Sequence, residues 1–409
     1  MKRPEIRPLT SLRFFAAVWV VAYHYLTPAL QADPDVPAWV LAFVRSGFVG
    51  VPIFFVLSGF VLFYNYEATD FRAPGARRAF WVARFARIYP VYILAFLLAV
   101  PPALYALWTN VPGLPSLRDH AIGAILSPLL LQAWSGSAHA AWNTPGWTLS
   151  VEAAFYVAFP WFAGLAQRRR LGMAFVLAFG FSAALLAAYL LAGLGSVHIV
   201  MRNPLVHVPA FLVGMLLAQH RQAAATLGPM QSDALALGGL AAIGGLAILL
   251  SGPWGPGPET ADPLLNSILL IPLVALTTLG LAAPRGASVT FLSMPTLVWL
   301  GNISYSVYIL QAPLAKYALY FPSMVLGFNP ANAAVFLGFL ALLIAVSAFT
   351  YKHVERPWQR RLRSWLASRT PADGARPADV EQRDSAAVSR PAEPTARDAA
   401  TAGAESGSV

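Results

Sequence analysis

LTSLRFFAAVWVVAYHY, residues 9–25, decides the fold, because it is apolar and long enough to enter a bilayer yet carries two ionisable side chains. Arg13 and His24 are eleven residues apart, which on an α-helix returns them to nearly the same face, about 16 Å apart along the axis. In a spanning helix Arg13 would lie near one surface and His24 near the middle. Because an ionisable group at that depth is costly, the pair predicts a functional site that an anionic substrate enters from one side.

The composition favours a membrane protein. Charged residues make up 11% and hydrophobic residues 57% of the 409 residues, against about 25% and 45–50% in soluble proteins. The net charge of +10 is concentrated in short segments between apolar runs, which is the positive-inside pattern, so we expect a lipid bilayer and no nucleic acid as partner. The chain has no cysteine, which excludes disulfides, thiolate metal sites and a cysteine nucleophile.

Apolar runs near spanning length recur along the chain, and the predicted fold class is an all-α polytopic membrane protein of about ten transmembrane helices. The predicted spans are residues 9–30, 48–66, 88–108, 147–166, 172–194, 205–218, 234–250, 264–283, 298–320 and 331–350. Residues 120–134, apolar but short and interrupted by proline, predict a re-entrant or interfacial segment on the outer face. The basic loop at residues 72–87 and the other basic segments predict that both termini are cytoplasmic.

The domain organisation follows from the ends of the chain. We expect residues 1–368 to form one membrane domain that contains any chemistry, since neither end adds a soluble catalytic domain. The N-terminal run has no small-residue cleavage signature, so it predicts a retained first span and not a signal peptide. Residues 369–409 are rich in Ala, Pro, Ser and charged side chains, a composition that predicts a disordered tail.

His24 and Glu152 are the first candidates for chemistry. A neutral imidazole can take a proton from a hydroxyl, whereas a purely structural His24 would hydrogen-bond between helices. Glu152, in NTPGWTLSVEAAFYVAFP, lies five residues after Trp147 and about 7–8 Å inside the outer interface. A carboxylate there needs a partner or a water-filled cavity. We expect it either to orient His24 or a polar acceptor, or to pair with a cation such as Arg202.

A second group of candidates lies near the cytoplasmic side. Arg84 and Arg87 are three residues apart, which places them on one helix face at the mouth of the third span. Two guanidiniums in this register can grip phosphates bidentately, although a basic loop also serves topology alone. Ser58 and Gly59, in FVGVPIFFVLSGFVL, allow a helix or a thin substrate to approach the backbone, and helix packing explains them equally well in isolation.

Aromatic and polar side chains add weaker signals. Trp142, Trp147 and Tyr156 suit stacking on sugar rings, or an aromatic belt at the membrane interface for two of them. The segments LGNISYSVYILQAP (residues 300–313) and VERP (residues 354–357) indicate only that the interior of the helix bundle is polar.

These segments together resemble the acyltransferase 3 family of integral membrane acyltransferases. The matching elements occur in one order: Arg13 with His24, FFVLSGF, the RxxR pair of Arg84 and Arg87, the W-x-L-S-x-E-x-x-F-Y segment from residue 147, ISYSVYIL and VERP. Where the family often has a histidine after the SYSLYL-type segment, this chain has Gln311. The chain is similar to the stand-alone form, without the esterase-like domain that some relatives carry.

The resemblance implies a multi-pass enzyme of the bacterial cytoplasmic membrane. It would transfer an acyl group, commonly acetyl, from acyl-CoA to a hydroxyl of a carbohydrate, a surface glycan or a secondary metabolite. The donor substrate is then acyl-CoA, acetyl-CoA first, and no metal is required.

The resemblance also implies roles for the candidate residues. Arg84 and Arg87, helped by Arg13, would hold the CoA phosphates while the pantetheine arm passes Ser58 and Gly59. The thioester would then reach the catalytic group, His24, which deprotonates the acceptor hydroxyl. Glu152 would orient the acceptor or the imidazole.

A transporter of an anionic solute or lipid-linked sugar is the alternative from a different class. It predicts solute movement without thioester consumption and no strict need for an imidazole at His24. A membrane sensor or scaffold is disfavoured, because it does not require buried charges.

Overall fold

The structure, a computed structural model, describes residues 3–111, 113, 115–192, 201–253, 255 and 269–369. In this part of the chain every regular element is helical, which confirms the predicted all-α class. Contacts group residues Glu5–Thr370 into one unit. The predicted disordered tail lies, apart from its first residue, outside the described residues.

The described residues form seventeen α-helices, connected by 3-10 turns and two π-helical segments. In chain order they are α1 (Arg7–Tyr25), α2 (Thr27–Ala32), α3 (Ala38–Arg45), α4 (Gly50–Tyr66), α5 (Ala76–Trp108), α6 (Leu117–Leu126), α7 (Trp147–Gln167), α8 (Leu171–Ala192), α9 (Pro204–Gln219), α10 (Gln222–Ala225), α11 (Pro229–Ser251), α12 (Leu270–Leu281), α13 (Ala287–Leu292), α14 (Pro295–Ala315), α15 (Phe321–Leu326), α16 (Ala333–Thr350) and α17 (Arg356–Arg369). The π-helical segments are Lys316–Tyr320 and Tyr351–Glu355.

Local sequence explains where several helices begin. The side chains of Asn203 and Asn332 accept hydrogen bonds from the first free N–H groups of α9 and α16, which is the usual chemistry of a helix N-cap. Pro295 occupies the first turn of α14, where its missing N–H costs no helical hydrogen bond. α5 begins directly after Gly75, whose φ of 79° is a backbone conformation that glycine adopts most readily.

Several helices present apolar side chains outward. Six stretches of the described chain are long and apolar enough to cross a bilayer: Ala38–Tyr66, Ala76–Trp108, Thr144–Gln167, Leu171–Tyr189, Pro229–Ser251 and Ala333–Leu362. Val176 and Leu177 on α8 are 65% and 66% exposed, and Leu337 on α16 is 64% exposed. Large apolar surfaces of this kind require non-aqueous surroundings, so the chain is a multi-pass membrane protein.

Glycines set the spacing of the most buried helices, α1, α4, α9 and α14. A Cβ on Gly59 of α4 would lie 2.0 Å from the Phe211 carbonyl oxygen of α9, and a Cβ on Gly214 of α9 would lie equally close to an α4 carbonyl. On α14, a Cβ at Gly301 would lie 2.2 Å from the Thr10 carbonyl oxygen of α1. No side chain fits at these distances, so the close approach of the four helices depends on glycine.

The structure corrects the predicted loop at residues 72–87. α5 runs unbroken from Ala76 to Trp108, so Arg84 and Arg87 lie well inside a helix and not at its mouth. Residues 38–45, predicted as part of an outer loop, form α3, and the basic segment after residue 350 stays helical through α17. Hydropathy gives no signal for the start of α5 or for α17, because it reports the transfer of side chains into lipid, whereas Arg and Ala themselves favour helix. Residues 38–45 are themselves apolar and belong to Ala38–Tyr66, a stretch long and apolar enough to cross a bilayer.

Four other predicted spans have nearly the same bounds as helices of the structure. The predicted spans at 147–166, 172–194, 234–250 and 331–350 correspond to α7, α8, α11 and α16. Residues 193–194 and 264–268, which belong to the predicted fifth and eighth spans, lie outside the described residues. Two further helices, Pro204–Gln219 and Leu270–Leu281, are apolar but short. The total of ten spans stays a prediction.

Candidate functional site

Five charged side chains from four segments face one another inside the protein. Arg13 on α1 interacts electrostatically with Arg87 on α5 and with Glu152 on α7. Arg87 also interacts with Glu355, which is buried in the π-helical segment Tyr351–Glu355. Arg84 lies one turn before Arg87 on the same helix. Both arginines interact electrostatically with Tyr156 on α7. We call these five residues the arginine cluster.

Contacts with neighbouring helices hold the two α5 arginines in place. The Nη2 of Arg84 donates a hydrogen bond of 3.1 Å to the Tyr66 hydroxyl, and its guanidinium carbon lies 5.3 Å from the centre of that ring. The hydroxyl of Tyr305 on α14 donates to the carbonyl of Ile88, the residue after Arg87. Arg84 Nε is buried without a hydrogen-bond partner. Within the described residues, one donor of the cluster is therefore without an acceptor.

Glu152 is satisfied by hydroxyl groups. Its Oε1 accepts hydrogen bonds from Ser58 Oγ at 3.0 Å and from the Tyr156 hydroxyl at 2.6 Å. The alternative in which Glu152 pairs with Arg202 is wrong, because Arg202 lies beside His139. A carboxylate that accepts two hydroxyl hydrogen bonds is stable in the interior without a direct ion pair.

The segment that leads into α7 is buried inside the protein. Trp142 is 8% exposed and Asn143 is 6% exposed, and the Pro145–Gly146 turn before the helix is buried as well. Trp147 packs its ring 5.6 Å from the His207 ring, inside the protein. The aromatic belt at the membrane interface stays a prediction. α7 therefore begins among other segments of the protein, and Glu152 interacts electrostatically with Arg13.

The three arginines of the cluster have no carboxylate at ion-pair distance. Within the described part of the chain the only ion pair closer than 4.0 Å joins Arg221 to Glu67, at 2.9 Å. Arg13, Arg84 and Arg87 therefore keep their positive charges without direct neutralisation, and three cations outnumber the two carboxylates of the cluster. Because burying an unpaired charge is costly, this arrangement favours binding of an anion.

His24 lies near the other end of α1, in its last turn. Its ring stands 4.8 Å from the ring of Tyr23, and its electrostatic neighbour is Arg202. Arg202 Nη1 is hydrogen-bonded to Nε2 of His139. We call His24, Arg202 and His139 the His24 site. Arg13 and His24 belong to one unbroken helix, so the predicted separation of about 16 Å holds and divides the candidate residues between two places.

The other candidates are distributed as follows. Ser58 belongs to the arginine cluster through Glu152, whereas Gly59 packs against α9. Gln311 is fully buried and donates to the Tyr308 carbonyl at 2.8 Å. In the described part of the chain no three His, Cys, Asp or Glu side chains come together as a metal-binding group.

Sequence reasoning did not recognise Glu355 and His139 as functional candidates, and it considered Arg202 only as a partner of Glu152. Glu355 was noticed only as a sign of a polar interior, and its proximity to Arg87 depends on the packing of α5 against the end of α16. His139 and Arg202 are 63 residues apart and meet only in the folded chain. A histidine in a non-helical connection carries no periodic signal, so only the three-dimensional arrangement reveals it.

The fold and the two sites together define an integral membrane protein that has a cluster of arginines in its interior and a histidine further along one of the same helices. The acyltransferase domain that defines the acyltransferase 3 family matches residues 8–351, and the chain belongs to that family. It is therefore a membrane acyltransferase.

Named relatives agree with this assignment. The chain is 27% identical over 376 residues to the acyltransferase MdmB of Streptomyces mycarofaciens, which covers 87% of this chain and 92% of that protein. It is 29% identical over 328 residues to the exopolysaccharide production protein ExoZ of Rhizobium meliloti, covering 78% and 91%. A shorter similarity, 26% over 172 residues, links it to the peptidoglycan O-acetyltransferase OatA of Listeria monocytogenes, covering 39% and 24%. No solved structure matches the chain.

Proposed function

We propose that this acyltransferase moves an acyl group, acetyl first, from acyl-CoA to a hydroxyl of a carbohydrate or of a glycosylated or other secondary metabolite. The observation that carries the proposal is the set of three interior arginines, Arg13, Arg84 and Arg87, for which no carboxylate of the described residues lies at ion-pair distance. CoA carries a diphosphate and a ribose phosphate, and arginine forks are suited to phosphate oxygens. The arginine cluster is therefore the proposed binding site of the donor's phosphates.

The spacing along α1 supports the same donor. Arg13 and His24 are about 16 Å apart on one helix, a length comparable to an extended pantetheine arm. With its phosphates at the arginine cluster, an acyl-CoA would bring its thioester to His24. The half-buried Ser58 lies beside this path, and Gly59 contributes by letting α4 and α9 pack closely.

The proposed reaction needs a proton acceptor at the thioester. His24 takes the proton of the acceptor hydroxyl, whose oxygen attacks the thioester carbonyl. The new C–O bond replaces the C–S bond, and the proton passes from His24 to the CoA sulfur. Glu152 remains in the arginine cluster, where it accepts hydrogen bonds from Ser58 and Tyr156. Its negative charge there partly offsets the positive charges of Arg13 and Arg87.

A carbohydrate acceptor is proposed from the named relatives. One is described by its name as a peptidoglycan O-acetyltransferase and another as an exopolysaccharide production protein. Both names refer to polymeric carbohydrate, whose hydroxyl groups suit an O-acyl transfer. We therefore place a surface glycan first among the acceptors.

We also propose a location in the bacterial cytoplasmic membrane with both termini on the cytoplasmic side, where acyl-CoA is made. The exposed Arg72, Arg77 and Arg78 and the basic segment at residues 168–170 then face the cytoplasm. Reporter fusions after Trp134 and after Arg170 should report opposite sides of the membrane. Reporting from the same side at both positions would contradict this topology.

Transfer of label from a radioactive donor tests the function. Inside-out membrane vesicles containing the full chain, given acetyl-CoA labelled in the acetyl group, should place alkali-labile label in the carbohydrate fraction. Vesicles with His24→Gln should not. Movement of an anionic solute without consumption of thioester would support the transporter alternative instead.

A further inference from the structure

Arg202 is held by the residues on either side of it. His207 Nε2 donates a hydrogen bond of 2.6 Å to the carbonyl of Met201, and the side chain of Asn203 accepts from the Leu205 amide at 3.0 Å to cap α9. His207 itself is 2% exposed and lies in the core of the bundle. With both neighbours anchored, the backbone of Arg202 has little freedom, and its side chain starts from a defined position.

The His207 ring is in turn fixed by aromatic side chains. Its centre lies 4.8 Å from the ring of Phe55 on α4 and 5.6 Å from the ring of Trp147 on α7. Three of the interior helices therefore meet at the residue that anchors Met201. The backbone next to Arg202 is therefore held by the packed core of the helix bundle.

The guanidinium end of Arg202 is fixed by His139. Because a guanidinium has no acceptor, Arg202 Nη1 donates and His139 Nε2 accepts. Burial, followed by the positive charge of Arg202, lowers the pKa of His139 to about 4. His139 is therefore neutral at neutral pH and able to accept this hydrogen bond. Ser137, two residues before, donates to Asp119 and ties the segment to α6.

Among the described residues, the hydrogen-bond partner of the Arg202 guanidinium is His139. The guanidinium has five N–H donors, of which one contacts His139. Its other electrostatic neighbours are His24 and Tyr23, and no carboxylate of the described chain lies at ion-pair distance. A cation held in this way beside a proton acceptor is placed where negative charge would be stabilised.

We infer that Arg202 is a catalytic residue whose guanidinium stabilises the negative charge on the acyl carbonyl oxygen at His24, with His139 as its positioning residue. The inference rests on the proposed function, since it assigns the charge to an acyl-transfer step. When the acceptor oxygen attacks, the carbonyl π electrons move onto its oxygen, which Arg202 stabilises. When the C–S bond breaks, that charge returns to re-form the carbonyl, and the CoA sulfur takes the proton from His24.

Diethyl pyrocarbonate tests this inference without either substrate. A neutral imidazole attacks its carbonyl carbon, so an oxyanion develops directly beside His24. The purified full chain in detergent is treated with the reagent, and the rate of modification of each histidine is followed by mass spectrometry of peptides. Wild type is compared with Arg202→Gln and Arg202→Lys. The exposed His220 serves as the reference in every sample.

Modification of His24 should slow by at least about tenfold in Arg202→Gln and by less in Arg202→Lys, while His220 is unchanged. Removing one donor from an evolved oxyanion site costs about 10²- to 10³-fold, and an unpositioned reagent should show only part of that effect. Added guanidinium ion should restore much of the rate in Arg202→Gln, which loss of a structural contact would not allow.

An unchanged or faster rate at His24 in Arg202→Gln would overturn the inference, and would leave Arg202 to recognise an anionic acceptor instead. A slower rate that guanidinium does not restore, together with a lower Tm, would also overturn it in favour of a structural role. Titration of CoA in the same preparations keeps the two proposals apart. If wild type does not bind CoA but His24 still depends on Arg202, the donor proposal fails and the assignment of the cation stands.

Discussion

The arginine cluster and the His24 site share helix α1 but are built differently. The arginine cluster combines three guanidiniums with two carboxylates, and hydroxyl groups of Ser58 and Tyr156 satisfy one of these. The His24 site has one guanidinium, whose hydrogen bond goes to a neutral imidazole. An excess of cations moderated by carboxylates is suited to reversible binding of a polyanion. A single cation beside an imidazole is suited to charge that exists only during a reaction.

A third arginine environment shows what ordinary structural use looks like. Arg221 pairs with Glu67 at 2.9 Å, and its guanidinium lies 6.0 Å from the ring of Tyr64. Both members of the pair are about one-third exposed. At this position a carboxylate of another segment neutralises the arginine. Arg84 and Arg87 differ from Arg221 in that no carboxylate of the described residues lies at ion-pair distance from them.

The largest expected effect lies at the His24 site. His24→Gln keeps hydrogen-bonding capacity but has no titratable nitrogen, so acyl transfer should fall by roughly 10²- to 10⁴-fold. Label transfer from acetyl-CoA measures the rate, and CoA affinity should stay near the wild-type value. The exposed His220→Gln is the matched control and should transfer at the wild-type rate. A near wild-type rate in His24→Gln would remove the chemistry from this site.

The next largest effect is expected on CoA binding at the arginine cluster. Arg87→Ala should weaken CoA binding by about 1.5–3 kcal/mol, or roughly 10- to 150-fold, because a charge-assisted contact with phosphate is lost. Arg87→Lys should recover part of this, since the charge remains but the fork does not. Calorimetric titration of CoA measures it. Arg78→Ala, exposed on the same helix, should bind normally, and an equal loss in both variants would return Arg87 to a topological role.

A packing variant should affect both sites together. Gly59→Ala places a Cβ about 2.0 Å from the Phe211 carbonyl oxygen, so α4 and α9 must separate. Overpacking of this kind typically costs about 1–3 kcal/mol, and Tm should fall together with CoA affinity and transfer rate. In Gly338→Ala, where no atom lies within 4 Å, Tm should stay level or rise. If Gly59→Ala left Tm unchanged and weakened only CoA binding, the glycine would contact the donor directly.

The smallest effect is expected at the paired arginine. Arg221→Gln removes a partly exposed ion pair, which usually contributes about 0–1 kcal/mol. Thermal unfolding should shift only slightly, and CoA affinity should not change. A large loss of CoA affinity would show that paired and unpaired arginines do not differ as proposed.

The sequence predicted the parts of both sites that depend on one helix at a time. The face shared by Arg13 and His24 and the register of Arg84 with Arg87 follow from helical periodicity, and the structure shows both on unbroken helices. The apolar length of the outer helices was likewise readable, because the bilayer sets it. The contacts between residues of different segments were not predicted. His139 meets Arg202 only through the folded chain.

The packing around the start of α7 was also not predictable from the sequence. Trp147 begins α7, and the predicted depth of Glu152 was counted from this residue. The segment before it is buried, with Gln132 donating to the Gly146 carbonyl at 2.7 Å and the Ser150 hydroxyl accepting from the Ala133 amide at 3.2 Å. These hydrogen bonds draw the start of α7 into the bundle. Such side chain–backbone contacts have no pattern in hydropathy, so only the structure reveals them. The depth of Glu152 in the membrane stays a prediction.

One comparison tests the central claim, that donor binding and chemistry occupy the two ends of α1. In vesicles with their native acceptor, transfer is measured against acetyl-CoA concentration for wild type, the Arg84→Ala/Arg87→Ala double variant and His24→Gln. The account predicts that the double variant needs far more acetyl-CoA but approaches the wild-type rate at saturation, whereas His24→Gln stays slow at every concentration and binds CoA normally. Loss of the saturated rate in the double variant with unchanged CoA affinity, or loss of CoA affinity in His24→Gln, would contradict it.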